Sequence, residues 1–169
     1  MSAARRRATA LHAIELLVLD VDGVLTDGRL RYGPEGEIDK VFHVRDGHGV
    51  KALQAAGVRV AVISGRDSAA VARRCAELGV GDVLQGVSDK AAAFAALAAG
   101  LGIEPRAAAC VGDDTPDVEL MRRVGFAVAV ADAHEDARRA AHRCTRLPGG
   151  AGAVREVCDW LLAARRKRR

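Results

Sequence analysis

The sequence predicts an α/β fold in which a parallel sheet is flanked by helices and a β-hairpin is inserted after the first strand. Three observations carry this expectation. Short β-branched runs alternate with amphipathic helical segments, the pattern of parallel strands joined by right-handed crossovers. Half of the 169 residues are hydrophobic but only 3% are aromatic, so Val, Leu, Ile and Ala must fill the core, as in a sheet covered on both faces. One stretch, GRLRYGPEGEIDKVFHV from Gly28 to Val44, breaks the alternation with two strand-like pieces around Gly33-Pro34-Glu35-Gly36. That is a hairpin signature.

In chain order, the first strand is expected at Leu16–Leu19, an apolar run ending at Asp20. The hairpin comes next, where an ordinary unit would have its helix. It therefore stands over the carboxyl ends of the strands, where open sheets bind ligands. A helix over Gly49–Ala56 leads to a strand at Val58–Ile63, and a helix over Ser68–Leu78 carries Val71, Cys75 and Leu78 at helical spacing. A strand at Val83–Gln85 precedes a helix over Lys90–Leu101. A strand at Ala107–Val111 precedes a helix over Pro116–Val124, with Thr115 as the cap before a proline at the first helical position. A strand at Ala127–Val130 and helices over Glu135–Ala141 and Val154–Ala164 complete the chain. No linker interrupts it, so residues 1–169 read as one domain, with flexible basic ends at about 1–10 and 165–169.

Composition excludes several function classes. The net charge of +4 sits in the ends: Arg5, Arg6, Arg7 and the five residues from Arg165 to Arg169 are eight of the 26 basic residues, leaving 18 against 22 acidic ones. A nucleic-acid protein spreads basic charge over a binding face, so no nucleic-acid partner is expected. No apolar run reaches a membrane span, and no signal-peptide core follows Arg7, which points to a cytoplasmic protein. Cys75, Cys110, Cys144 and Cys158 form no C-x-x-C pair and are expected to be reduced core residues.

The candidate chemistry gathers at strand tips. The first strand ends in Asp20-Val21-Asp22-Gly23-Val24-Leu25-Thr26. Two carboxylates leaving a buried strand are costly unless a cation or a catalytic role holds them. In extended chain they project the same way, and one can act as nucleophile while the other donates and accepts a proton. The alternative reading is an Asp-Gly turn with a capping aspartate. Ser64-Gly65-Arg66 sets a hydroxyl and a turn at the next strand tip. Lys90 lies in the first turn of a helix, where the dipole disfavours a cation, so binding a phosphoryl oxygen would explain it. Gly112-Asp113-Asp114-Thr115-Pro116-Asp117 follows another strand. Asp114 and Asp117 read as residues favourable at a helix N-terminus. Asp113, at the tip itself, would join the first-strand carboxylates in giving Mg²⁺ the hard oxygen ligands it prefers.

These four segments, in this order, resemble the haloacid dehalogenase superfamily of phosphatases, over nearly the whole chain. The resemblance implies a Rossmann-like domain with Asp20 as nucleophile and Asp22 as general acid and base. It implies Ser64 and Lys90 on the transferring phosphoryl group, and Mg²⁺ held by Asp20, the backbone carbonyl of Asp22, and Asp113. Phe42 to Gly49, Val62 to Arg66, Ala129 to His134 and Gly149 to Cys158 are similar to the 3-deoxy-D-manno-octulosonate (KDO) 8-phosphate phosphatases, which lack a large cap. That narrower resemblance implies a homotetramer acting on an acidic sugar phosphate in lipopolysaccharide precursor synthesis. It implies substrate contacts at Asp22, His43, Val44, Arg45, Asp46, Gly47, Lys51, Arg66, Arg74 and Lys90. His43 stands where Asn is common in that pattern, and Lys51 where an arginine is expected. Arg74, two helical turns beyond Arg66, would face the same side.

Other readings fit less well. Gly47-His48-Gly49-Val50-Lys51-Ala52 matches G-x-G-x-x-A, but the next strand ends in Ser64-Gly65-Arg66 without a ribose-binding acid. A receiver domain would have its phosphorylated aspartate after the third strand, where Gln85-Gly86 stands. A phosphatase of a nonulosonate 9-phosphate, and a non-catalytic oligomerisation module like those fused to sialic-acid cytidylyltransferases, are alternatives the residues leave open.

Overall fold

The computed structural model describes residues 9–167, and in them the expected architecture is present. Six parallel strands are ordered β5-β4-β1-β6-β7-β8: β1 Leu16–Leu19, β4 Arg59–Ile63, β5 Asp82–Leu84, β6 Ala108–Gly112, β7 Phe126–Ala129 and β8 Arg143–Cys144. A separate antiparallel hairpin, β2 Arg31–Gly33 and β3 Gly36–Asp39, follows β1. The helices are α1 Val44–Ala55, α2 Ala69–Leu78, α3 Lys90–Leu101, α4 Val118–Arg123, α5 Glu135–Ala140 and α6 Ala153–Arg166.

Alternation along the central strand divides the core. Leu17 and Leu19 of β1 point into one layer with Val50 and Leu53 of α1, Val71 and Cys75 of α2, and Val157 and Leu161 of α6. Leu16 and Val18 point into the other, with Phe94 of α3 and Leu120 and Met121 of α4. Both faces of β1 are covered, which is why its sequence is apolar without interruption.

The chain runs outward from β1 through β4 and β5, then returns to lay β6 on the other side of β1. That reversal is the switch point where open sheets form a crevice. Leu19 is level with Val62 of β4 and Val111 of β6, so the residues just beyond all three strands emerge at one edge.

Several local expectations are corrected. Helix α1 begins at Val44 rather than Gly49, because Gly47 and Gly49 permit close packing: a Cβ at Gly47 would overlap the Arg74 guanidinium, and one at Gly49 would crowd Arg155 and Cys158 of α6. Thr115 is not the cap. Asp114 caps a short 3₁₀ turn, Thr115–Asp117, that leads into α4: it accepts from the Thr115 N–H at 2.7 Å and forms a capping box with Asp117, with Pro116 in the turn. Asp22 is not in extended chain but in the turn after β1. The two-residue strand β8 was not anticipated. Of the basic C-terminal end, Arg165 and Arg166 are the last turn of α6, and the Arg165 guanidinium donates to the Ile14 carbonyl at 2.7 Å. Residues 1–8 and 168–169 of the expected flexible ends lie outside the described residues.

Candidate active site

A cleft of about 270 Å³ opens at the carboxyl edge of β1, β4 and β6, lined by Asp20, Asp22, Ser64, Gly65, Arg66, Lys90, Asp113, Asp114, Pro116 and Asp117. The four motif segments thus meet in one place. Gly23, at φ +89°, makes this possible: its backbone conformation suits only glycine, and a Cβ there would overlap the Asp113 carboxylate. A larger hollow of about 600 Å³ lies at the far end, between α1 and α6, and its lining of His12, Ala55, Leu162, Arg165 and neighbours includes no carboxylate.

Lys90 is the electrostatic centre of the cleft. Its Nζ lies 2.8 Å from Asp20 Oδ1 and 2.6 Å from Asp117 Oδ1, in a side chain only 7% exposed. Burial works against its charge, but the two carboxylates outweigh burial and hold the ammonium above its ordinary pKa. They also offset the helix dipole, since Lys90 stands in the first turn of α3 beside the capping Asp89. Asp117 has both oxygens engaged: Oδ2 accepts from the Asp113 N–H at 2.9 Å and the Asp114 N–H at 3.3 Å. Read from sequence as a helix-terminal acid, Asp117 is in fact the residue that ties Lys90 to the strand tip. Its burial was the missing signal, and composition does not reveal burial.

Asp20, Asp113 and Asp117 bring carboxylate oxygens within 4.8 Å of one another, so this cluster could hold a metal ion. Burial, then the charge of Asp117, pushes the Asp20 carboxyl up to about 6 despite Lys90. Burial, then Asp20 and Asp117, pushes Asp113 up to about 8. Packed like charges of this kind call for a divalent cation.

Both folded values exceed the ordinary 3.8, so the folded, metal-free state binds more protons than the unfolded one. The stability these two carboxyls contribute is present below pH ~4 and is lost as pH rises through about 6 and about 8. Mg²⁺ should therefore raise Tm far more at pH ~8 than at pH ~5. An equal gain at both, read by scanning calorimetry, would contradict the cluster's assignment.

The remaining sequence-predicted residues fall into two groups. Ser64 is buried at the cleft floor, its Oγ accepting from the Arg66 N–H at 3.3 Å. Arg66 lines the cleft, but its Nη2 donates to Glu37 Oε2 at 2.8 Å and Tyr32 Oη at 3.0 Å, both on the hairpin. The others lie outside the cleft of the single chain. His43 caps α1, its Nδ1 accepting from the Arg45 N–H at 3.1 Å, the acceptor role an Asn would fill. Asp46 is buried and accepts from the Arg155 N–H at 2.8 Å at the start of α6, so it serves as a cap on that helix. Val44, Arg45 and Lys51 are exposed on α1. Arg74 sits against Gly47 and pairs with Glu77 at 3.3 Å. Arg66 precedes α2 instead of lying on it, so two helical turns do not bring Arg74 to its side.

Comparison with known proteins agrees with this geometry. Residues 76–152 match the haloacid dehalogenase-like hydrolase family. The chain is 49% identical over 154 residues to KDO 8-phosphate phosphatase KdsC of Escherichia coli K12, covering 91% of this chain and 82% of that one. The chain belongs to the KDO 8-phosphate phosphatase family of haloacid dehalogenase-like hydrolases. Within that family, the Moraxella catarrhalis enzyme, solved in complex with magnesium, phosphate and KDO, superposes with a TM-score of 0.91 at 42% identity, covering 94% of this chain and 91% of that one. The cobalt-bound Haemophilus influenzae phosphatase gives the same TM-score and identity, covering 94% and 93%. No helix among the described residues is long and apolar enough to cross a membrane.

Proposed function

We propose that this chain is a magnesium-dependent phosphatase that hydrolyses KDO 8-phosphate through an aspartyl-phosphate on Asp20, acting in the cytoplasm in lipopolysaccharide precursor synthesis. The observation that carries the reading is the Asp20 carboxylate, held 2.8 Å from the buried Lys90 ammonium beside Asp113, in a chain 49% identical to a KDO 8-phosphate phosphatase.

The donor set fits Mg²⁺. Asp20 and Asp113 offer crowded carboxylates, whereas both oxygens of Asp117 are already engaged. Asp20, Asp113 and the backbone carbonyl of Asp22 would hold the ion, which when bound neutralises phosphoryl charge and orients the ester. The chain's own residues do the rest. An Asp20 oxygen attacks phosphorus as the bond to the sugar oxygen breaks, and Asp22 gives its proton to that leaving oxygen. Asp22 then takes a proton from water, which attacks phosphorus and frees phosphate from Asp20. The Ser64 hydroxyl and Lys90 ammonium bind the phosphoryl oxygens, and Asp117 keeps Lys90 aimed at them.

Without a large cap, discrimination falls to the hairpin and to neighbouring subunits. Tyr32, Ile38, Val41 and Val44 are 59% to 77% exposed on the hairpin and the entry to α1, and they supply the apolar surface a homotetramer would bury. In that assembly Arg66 contacts the sugar carboxylate within its own cleft, while His43, Arg45, Lys51 and Arg74 serve from α1 and α2 near subunit boundaries.

The test is a screen of kcat/KM across KDO 8-phosphate, a nonulosonate 9-phosphate and a neutral sugar phosphate. The reading expects KDO 8-phosphate to lead; preference for the nonulosonate would reassign the substrate.

A further inference from the structure

Resting on the phosphatase reading above, the geometry points to Lys40 as the residue that positions Asp22 for proton transfer to the leaving group. Lys40 follows β3, and its side chain is only 2% exposed. Its Nζ lies 2.6 Å from Asp22 Oδ1 and 3.2 Å from Glu37 Oε1. Glu37 in turn accepts from Arg66 at 2.8 Å, and Arg66 Nε stands 3.7 Å from Asp22 Oδ2. Lys40, Asp22, Arg66 and Glu37 thus form a closed ring of alternating charge that joins the hairpin to the tips of β1 and β4.

The ring has a directional consequence. The enclosed Lys40 Nζ engages Oδ1 of Asp22 at 2.6 Å. Oδ2, which makes the longer contact, 3.7 Å to Arg66 Nε, is the less engaged oxygen and carries a proton to or from the ester. Asp22 stands in a turn, not on a strand, so its backbone alone does not fix the carboxyl's orientation. The hairpin therefore does more than cover the strand edge: it reaches back through one buried ammonium to aim the acid. Lys40 is not among the residues that line the cleft, and the phosphoryl group is served by Ser64 and Lys90, which are.

This separates two kinds of ester. An alkyl sugar phosphate has a poor leaving group and needs a well-placed acid, whereas p-nitrophenyl phosphate leaves as a stabilised phenolate and needs little help. In Lys40→Met, kcat for KDO 8-phosphate should fall about 10- to 100-fold with KM little changed, while p-nitrophenyl phosphate turnover falls less than about 3-fold. Lys40→Arg, which restores a cation to the ring, should recover most of the alkyl-ester rate. Should Lys40→Met fail to fold, Glu37→Gln loosens the same lysine from its other partner and should show the same selective loss in smaller measure. Equal loss on both esters, or no loss on either, in folded variants would overturn the inference while leaving the phosphatase reading intact. A wild-type protein that hydrolyses neither ester would remove both.

Discussion

Asp20→Asn is expected to abolish turnover of every phosphate ester, lowering kcat by about 10⁴-fold or more. An amide is a poor nucleophile and brings no charge to a cation. The fold should not suffer. Asp20 is 9% exposed, and burial together with Asp117 already raises its carboxyl to about 6, so a neutral isostere removes a disfavoured charge. Lys90 keeps Asp117 as its partner at 2.6 Å. Thermal melting of the metal-free variant should match or exceed wild type near pH ~8, where the native carboxyl is ionised. Acid-quenched wild-type protein should carry a phosphoryl group on the Asp20 peptide, and the variant none. Near-wild-type phosphate release by folded Asp20→Asn would remove the proposed nucleophile.

Asp117→Ala and Asp113→Ala should fail in opposite ways. Asp117 is 4% exposed and holds three donors: Lys90 Nζ and the N–H groups of Asp113 and Asp114. Its removal leaves a buried ammonium with one partner instead of two, and orphans the turn after β6. The expected cost is about 3–5 kcal/mol, with Tm lowered by roughly 10 °C. Asp113 instead carries a carboxyl raised to about 8 by burial and its acidic neighbours. Asp113→Ala should leave the metal-free Tm unchanged or higher, while the Mg²⁺ concentration needed for half-maximal activity rises more than it does in Asp117→Ala. Calorimetry and metal titration of both variants check the pair. A large loss of metal-free stability in Asp113→Ala would contradict the charge crowding on which the metal assignment rests.

The sequence disclosed what depends on short-range pattern. The continuous apolar runs of β1, of β4 from Val60 onward and of β6 identify strands buried on both faces, and their common ends made Asp20, Ser64 and Asp113 legible as one site. Lys90 was legible because a cation in a first helical turn demands an explanation. What stayed hidden depends on packing between distant segments. Gly47 and Gly49 lower helix propensity locally, and only contacts with Arg74 and with α6 explain why α1 runs through them. Nothing near Asp46 in sequence marks the hydrogen bond it accepts from the N–H of Arg155, 109 residues away. Asp117 read as an ordinary helix-terminal acid because nothing nearby in sequence marks the ion pair with Lys90. Lys40, a charged residue at a strand end, carries no local signal, and only the fold of the hairpin brings it 2.6 Å from Asp22.

The most direct test is phosphate release from KDO 8-phosphate by the purified full-length protein, measured with Mg²⁺ and again after chelation. Transfer to Asp20 beneath a divalent cation predicts turnover with kcat/KM of about 10⁴ M⁻¹s⁻¹ or more in Mg²⁺, and none in excess chelator while circular dichroism shows an intact fold. Undiminished phosphate release in chelator, or no release from well-folded protein in Mg²⁺, would contradict the account.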